Sequence, residues 1–205
     1  IGQEAGFYQN KGSTGATFNV LIGHTAGNFN VTGLSNTLIG AYAGYGASGQ
    51  SHSNNVAVGH SALRVVSTGT HNTALGTASG DAITTGGNNV LVGYNSGGTM
   101  TTQQKMVLVG VQAGDAINDD AADGTVAVGY QSLVALTSGQ KNTAIGYEAL
   151  KTQVDGDQNT AVGYQALKMA EAASDGYGNN TAIGALALTS LTTGTGNVAV
   201  GTQCL

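Results

Sequence analysis

The chain has 205 residues, 34 of them glycine, no proline, no tryptophan and a single cysteine. Charged residues make up 8% and the net charge is −5, with only Lys11, Arg64, Lys105, Lys141, Lys151 and Lys168 basic. So sparse and scattered a set of cations argues against a nucleic-acid partner; one cysteine excludes an internal disulfide; and no apolar run reaches the length of a membrane helix.

An aliphatic residue followed by glycine recurs twelve times in one local frame, at Gly2, Gly23, Gly40, Gly59, Gly76, Gly93, Gly110, Gly129, Gly146, Gly163, Gly184 and Gly201. Seven of the eleven gaps are 17 residues; the others are 19 or 21. A short period held along a whole chain means one unit stacked on itself. Counting from the glycine, position −4 is Asn in nine of eleven complete copies, with Met106 and Thr125 as exceptions. Position −3 is Thr or Val, −2 is Ala or Leu, −1 is Ile, Val or Leu, and +4 is Gly or Leu.

In chain order, each copy from Asn19 to Asn197 predicts the same three elements. The β-branched residues at −3 and −1 predict a short strand. Those two side chains share one face and −2 takes the other. Both faces are apolar, as in parallel strands covered on both sides. The glycine then ends the strand and allows a turn. A polar stretch follows, with turn signals such as Ser67-Thr68-Gly69, Thr137-Ser138-Gly139 and Asp155-Gly156-Asp157. The expectation is an all-β parallel β-solenoid of about twelve coils, one repeat domain over residues 1–205, with loops where repeats lengthen. Helix is expected at one place only, a turn over Ala166–Ser174 in a longer repeat of helix-forming composition. Asn at −4 suits either an amide ladder between coils or an ordinary turn before a strand.

The sharpest copies are Asn142-Thr-Ala-Ile145-Gly146-Tyr-Glu-Ala-Leu150 and Asn159-Thr-Ala-Val162-Gly163-Tyr-Gln-Ala-Leu167, followed by Asn180-Thr-Ala-Ile183-Gly184. This run resembles the head repeats of trimeric autotransporter adhesins. In its longer form, with Tyr at +1 and Leu at +4, it resembles repeats of phage tail fibres. The resemblance implies a left-handed β-roll, an intertwined or side-by-side homotrimer, and an extracellular place on a virion tail or a bacterial surface. It implies a structural or adhesive fibre segment: a phage tail fibre shaft or head at a host-receptor-binding region, or the head of a bacterial adhesin. The adhesin repeat is shorter than the 17-residue minimum here. In such a trimer the small −2 or +3 columns are expected to meet neighbouring chains. Neither end carries a cap, so the segment is expected to belong to a longer fibre.

No catalytic set, metal site or cofactor site emerges. His24 and His60 share a column but lie two coils apart, roughly 10 Å. Asp115, Asp119, Asp120 and Asp123 do not fit a calcium loop. Tyr130, Tyr147 and Tyr164 fall at +1 of successive coils and are expected to stack, serving either sugar rings or a chain boundary. Cys204 occupies the small +3 column and reads as a buried small residue. A host glycan or protein is expected to meet the loops of the longer repeats, Phe7–Phe18, Ala116–Asp123 and Lys168–Asn179, through Phe7, Tyr8, Lys11, Asp119, Asp120, Lys168, Glu171 and Tyr177. Two further readings compete. An ice-binding solenoid would use rows of Thr, but −3 holds Thr only at Thr37, Thr73, Thr143, Thr160 and Thr181. A solenoid enzyme would need an acid or base cluster that this spacing does not supply.

Overall fold

The computed structural model describes residues 1–9, 17–170 and 178–205. Eleven three-residue strands run β1 (Val20–Ile22), β2 (Thr37–Ile39), β3 (Val56–Val58), β4 (Thr73–Leu75), β5 (Val90–Val92), β6 (Val107–Val109), β7 (Val126–Val128), β8 (Thr143–Ile145), β9 (Thr160–Val162), β10 (Thr181–Ile183) and β11 (Val198–Val200). They form one parallel sheet in strict sequence order, each position paired with its equivalent in the next copy. This is the expected β-solenoid. The first copy adds no strand to the sheet but stacks on it: Gly23 N–H donates to the Ile1 carbonyl at 2.8 Å and Thr25 N–H to the Gln3 carbonyl at 2.9 Å.

Each coil has a second ordered segment, from +1 to about +7, built of overlapping β-turns. The backbone at +2 is left-handed in every copy, from Glu4 (φ 56°) through Glu148 (φ 54°) to Gln203 (φ 56°), and +4 is left-handed as well. These turns bond along the stack. Gln165 N–H reaches the Tyr147 carbonyl of the preceding coil at 2.8 Å, and Leu150 N–H reaches the Ala166 carbonyl of the following coil at 3.1 Å. Strand and turn segment therefore both satisfy their backbone groups between coils, as a thin coil with no layer beneath it must.

The core lies between strand and turn segment. The −2 column is buried along the stack, and the +3 column and the +7 side chains Val66, Ile83, Met100, Ile117 and Leu136 close over it. Volume is conserved within a coil. Where −2 is Leu (Leu21, Leu38, Leu91, Leu108), +4 is Gly (Gly27, Gly44, Gly97, Gly114). Where −2 is Ala, +4 is Leu, as in Ala57 with Leu63 and Ala144 with Leu150. A Cβ on Gly44 would lie 2.7 Å from both Leu38 methyl groups, so the Leu fills the space the Gly leaves. One coil breaks the pattern with Ala74 and Gly80. There Leu91 from above and Leu63 from below fill the gap, with Ile83 beside them. Both 19-residue gaps fall where Leu/Gly coils give way to Ala/Leu coils, at Gly40 to Gly59 and Gly110 to Gly129.

Two expectations need correction. The −2 and +3 columns cannot form a chain–chain contact, because they are the interior of a single coil: Ala144, Ala149, Ala161 and Ala166 are wholly buried. As expected of a single thin roll, the chain covers its strands on one face only; −3 and −1 point outward and remain half-exposed, as at Ile145 and Ile183 (40% and 41%). A helical turn also falls where none was expected. Residues 166–170 form turns, residues 171–174 lie outside the described residues, and the one short helix among the described residues is a single 3₁₀ turn at Asp120–Ala122. Asp119 caps it by accepting from Ala121 N–H at 2.8 Å. Local capping chemistry outweighed helix propensity there.

Candidate functional site

Three surfaces run along the stack, each built from one or two columns of the repeat. The first is the outer face of the sheet, made by −3 and −1. Val and Thr alternate irregularly at −3, Ile, Val and Leu fill −1, and no charged side chain interrupts either column from β1 to β11. Its regular register follows from the parallel pairing, which repeats one side chain at about 4.8 Å.

The second is the +1 column beside it. Tyr130 and Tyr147 stack with ring centroids 5.2 Å apart at 15°, and Tyr147 and Tyr164 at 5.5 Å and 16°. The expected stack is therefore present, with all three rings half-exposed. It ends at Val111 below and Ala185 above, where the column carries no ring. His24 and His60 do not approach one another; Tyr42, at +2 of the intervening coil, meets both edge-on at 5.4 and 5.8 Å.

The third is the turn face, made by +2 and +5, where polar side chains bond from coil to coil. Glu148 is its centre. Lys151 Nζ lies 2.7 Å from one carboxylate oxygen, Lys168 Nζ 2.7 Å from the other, and Gln165 donates to the second at 2.8 Å. The hydrogen bonds from Lys151 and then Lys168 pull the Glu148 carboxyl down to about 2. Gln131 donates to Gln112 at 2.9 Å and Asn95 to Asp115 at 2.6 Å along the same face, and Arg64 faces Asp81 at 3.7 Å. Burial raises the Asp115 carboxyl, offset in part by the Asn95 bond.

Of the residues expected to contact a receptor, the described ones fall into separate places along the stack. Lys168 is held by Glu148. Asp119 caps the 3₁₀ turn, while the Asp120 carboxylate accepts from Thr102 Oγ1 at 2.5 Å and Gln103 Nε2 at 3.2 Å. Lys11, Glu171 and Tyr177 lie outside the described residues. Phe7 and Tyr8 join a patch that sequence reading missed. Tyr8 stacks on Phe29 (4.9 Å, 14°), Phe29 meets Tyr45 edge-on, and Tyr45 meets Tyr42. The signal was present in the columns, since +5 and +6 of the first three coils hold Phe7, Tyr8, Phe29 and Tyr45.

Inside the coil the Asn column is a ladder. The Asn159 side-chain oxygen accepts from Asn180 N–H at 3.1 Å and from its Nδ2 at 3.1 Å, and Asn142 accepts from Asn159 N–H at 2.9 Å. In most coils the free amide hydrogen bonds a loop carbonyl fourteen residues on, as Asn142 does to Gly156 at 2.6 Å; Asn36 reaches His52, sixteen on, at 2.9 Å. The ladder stops at Met106, whose N–H donates to the Asn89 side-chain oxygen at 3.0 Å but whose side chain offers no acceptor to the next coil, and Thr125 Oγ1 is buried without a partner. His52 fills the core of its coil. Its Nε2 donates to the Gly44 carbonyl (3.2 Å) and its Nδ1 accepts from Asn55 Nδ2 (3.3 Å). Burial holds this imidazole neutral, at about 4. Cys204 packs at the edge of the core and its Sγ donates to the Gly201 carbonyl at 3.0 Å.

Among the described residues no cluster of His, Cys, Asp or Glu could hold a metal ion, and no helix is long and apolar enough to cross a membrane. Comparison with protein-family models, with curated proteins and with solved structures gives no match, so the case for a function is carried by these surfaces.

Proposed function

We propose that this chain is a segment of an extracellular fibre that assembles with copies of itself, as a parallel homotrimer, through the outer face of the sheet. The observation that carries the reading is that face: two uncharged, largely β-branched columns, −3 and −1, repeated over eleven strands and left half-exposed by the chain's own fold. A contiguous apolar surface of this kind marks a contact between molecules. The register also makes it self-complementary in a closed ring of parallel chains, since every copy presents the same columns at the same spacing. The resemblance of Asn142-Thr-Ala-Ile-Gly146 and its neighbours to tail-fibre and adhesin repeats supports threefold symmetry and a left-handed roll. Tyr147 and Leu150 incline the reading to a tail-fibre shaft or head over an adhesin head. The partner at the distal end is a host-surface glycan or protein.

Light scattering should give three times the chain mass at micromolar concentration. Ile145→Lys with Val162→Lys places two ammonium groups on the outer face and should yield a monomer whose circular dichroism remains that of a β-solenoid. A wild-type monomer, or a double variant that stays trimeric, overturns the assembly. Thr143, Thr160 and Thr181 stand on adjacent strands of the same face and keep ice binding as the second reading. Thermal hysteresis in a monomeric preparation would favour it over the fibre.

A further inference from the structure

We propose that the Tyr130–Tyr147–Tyr164 stack is a site of oxidative dityrosine cross-linking that covalently staples adjacent coils of one chain. The geometry is specific. Two pairs of phenol rings lie nearly parallel at 5.2 and 5.5 Å, held in register by the strands β7, β8 and β9 that precede them. Each ring is 41–51% exposed, so an external oxidant reaches it.

The chemistry needs a one-electron oxidant, and hydrogen peroxide acting through a peroxidase supplies it. Each of two phenols gives up one electron and one proton to become a phenoxyl radical. The two radicals join through a carbon ortho to each oxygen, and loss of the two ring hydrogens as protons to the phenoxide oxygens restores both aromatic rings. In balance, two tyrosines and one peroxide give one dityrosine and two waters. Stacking turns the faces of neighbouring rings towards one another, and rotation about the Cα–Cβ and Cβ–Cγ bonds of both side chains brings an ortho carbon of each to bonding distance. Competing sinks are few. The chain has no tryptophan, and Cys204 and Met169 oxidise at sulfur without forming this bond.

The other tyrosines act as internal controls. Tyr42 and Tyr45 are close but edge-on, 5.8 Å at 61°. Tyr94 has Thr77 and Val111 as its column neighbours. Such a staple closes a loop of 17 residues and constrains the unfolded chain as a disulfide does. It would resist peeling of coils along the fibre axis.

The test treats the full chain with horseradish peroxidase and limiting hydrogen peroxide, then reads dityrosine fluorescence and maps cross-linked peptides by mass spectrometry. The expected result is intrachain links Tyr130–Tyr147 and Tyr147–Tyr164 in excess over Tyr42–Tyr45. Tyr147→Phe should lose both, Tyr164→Phe only the second, and the treated wild type should melt at higher temperature than either. Links formed only between chains, links spread evenly over all tyrosines, or no intrachain product would overturn the proposal. Mixing isotope-labelled with unlabelled chains before oxidation separates intrachain from interchain links. Because the mass of untreated protein alone tests the fibre assembly, either idea can fail without the other.

Discussion

At the scale of the residue, the repeat glycine and the +4 position show two different uses of backbone freedom. At Gly146 φ is 143°, and an added Cβ would collide with the carbonyl of Gly163 in the next coil. Both faults fall on backbone, which cannot yield without opening the stack. Gly146→Ala should cost roughly 3 kcal/mol or more, read as a lower urea midpoint with an unchanged slope. At +4, by contrast, Leu63, Leu133, Leu150, Leu167 and Leu188 adopt φ of 47–51° without being glycine. The left-handed backbone costs them about 1–2 kcal/mol, and burying a Leu side chain returns about 2. The two nearly cancel, so either residue is tolerated and the neighbouring volume decides. His52 supplies a pH prediction. Its folded value of about 4 lies below the ordinary 6.5, so the unfolded state binds the proton more tightly. Its contribution is complete above pH 6.5 and is lost as pH falls from there towards 4, a loss of ~3 kcal/mol at most. His52→Gln should flatten the urea midpoint between pH 6.5 and 4.

At the scale of the element, a coil is a unit of fixed volume shared between two positions. Coil Ala127/Leu133 sits above a Leu/Gly coil and below an Ala/Leu coil, so a change of type leaves only neighbour pairs that the chain already contains, with the 19-residue gap then lying between two Leu/Gly coils. Ala127→Leu alone should overpack by ~1–3 kcal/mol, and Leu133→Gly alone should leave a cavity costing ~2–5 kcal/mol, of which relief of the left-handed strain returns ~1–2. Together they should recover most of the stability, and a double-mutant cycle would read the coupling. Two singles that simply add would reject volume sharing. The Asn ladder is a second coupling between elements. Asn159→Leu leaves Asn180 N–H without its acceptor in a buried place and should cost ~1–3 kcal/mol. Thr125→Asn would extend the ladder into the break, where Thr125 Oγ1 has no partner, and should stabilise.

At the scale of the whole molecule, the coils make a rod about 50 Å long in which each contacts only its neighbours. Stability then propagates coil by coil, and the weakest junctions are those that lack ladder bonds, around Met106 and Thr125. Hydrogen exchange should be fastest there among the interior coils. The Glu148 bridge ties two coils on the turn face. Its carboxyl is held at about 2, below the ordinary 4.5, so its contribution is complete above pH 4.5 and is lost as pH falls towards 2. Glu148→Gln should remove that acid-limb loss without touching the His52 limb. The two dependences are separable because one is a buried neutral base and the other a paired acid.

The architecture was legible in the amino-acid sequence because a period has no other physical meaning: identical units can satisfy one another only by stacking. The strand at −3 to −1, the glycine turn, the parallel register and the stack of Tyr130, Tyr147 and Tyr164 all follow from residue type and spacing. What each column faces was decided only by the tertiary structure. A three-residue strand apolar on both sides does not reveal which side is inside. The left-handed turn segment, carried by ordinary residues such as Glu148 and Gln165, closes over −2 and leaves −3 and −1 outward. That choice turned the small columns from a supposed chain contact into the core. Charge pairing was equally illegible. Glu148, Lys151 and Lys168 are separated by 3 and 20 residues, and only the coil spacing brings their charges within 2.7 Å.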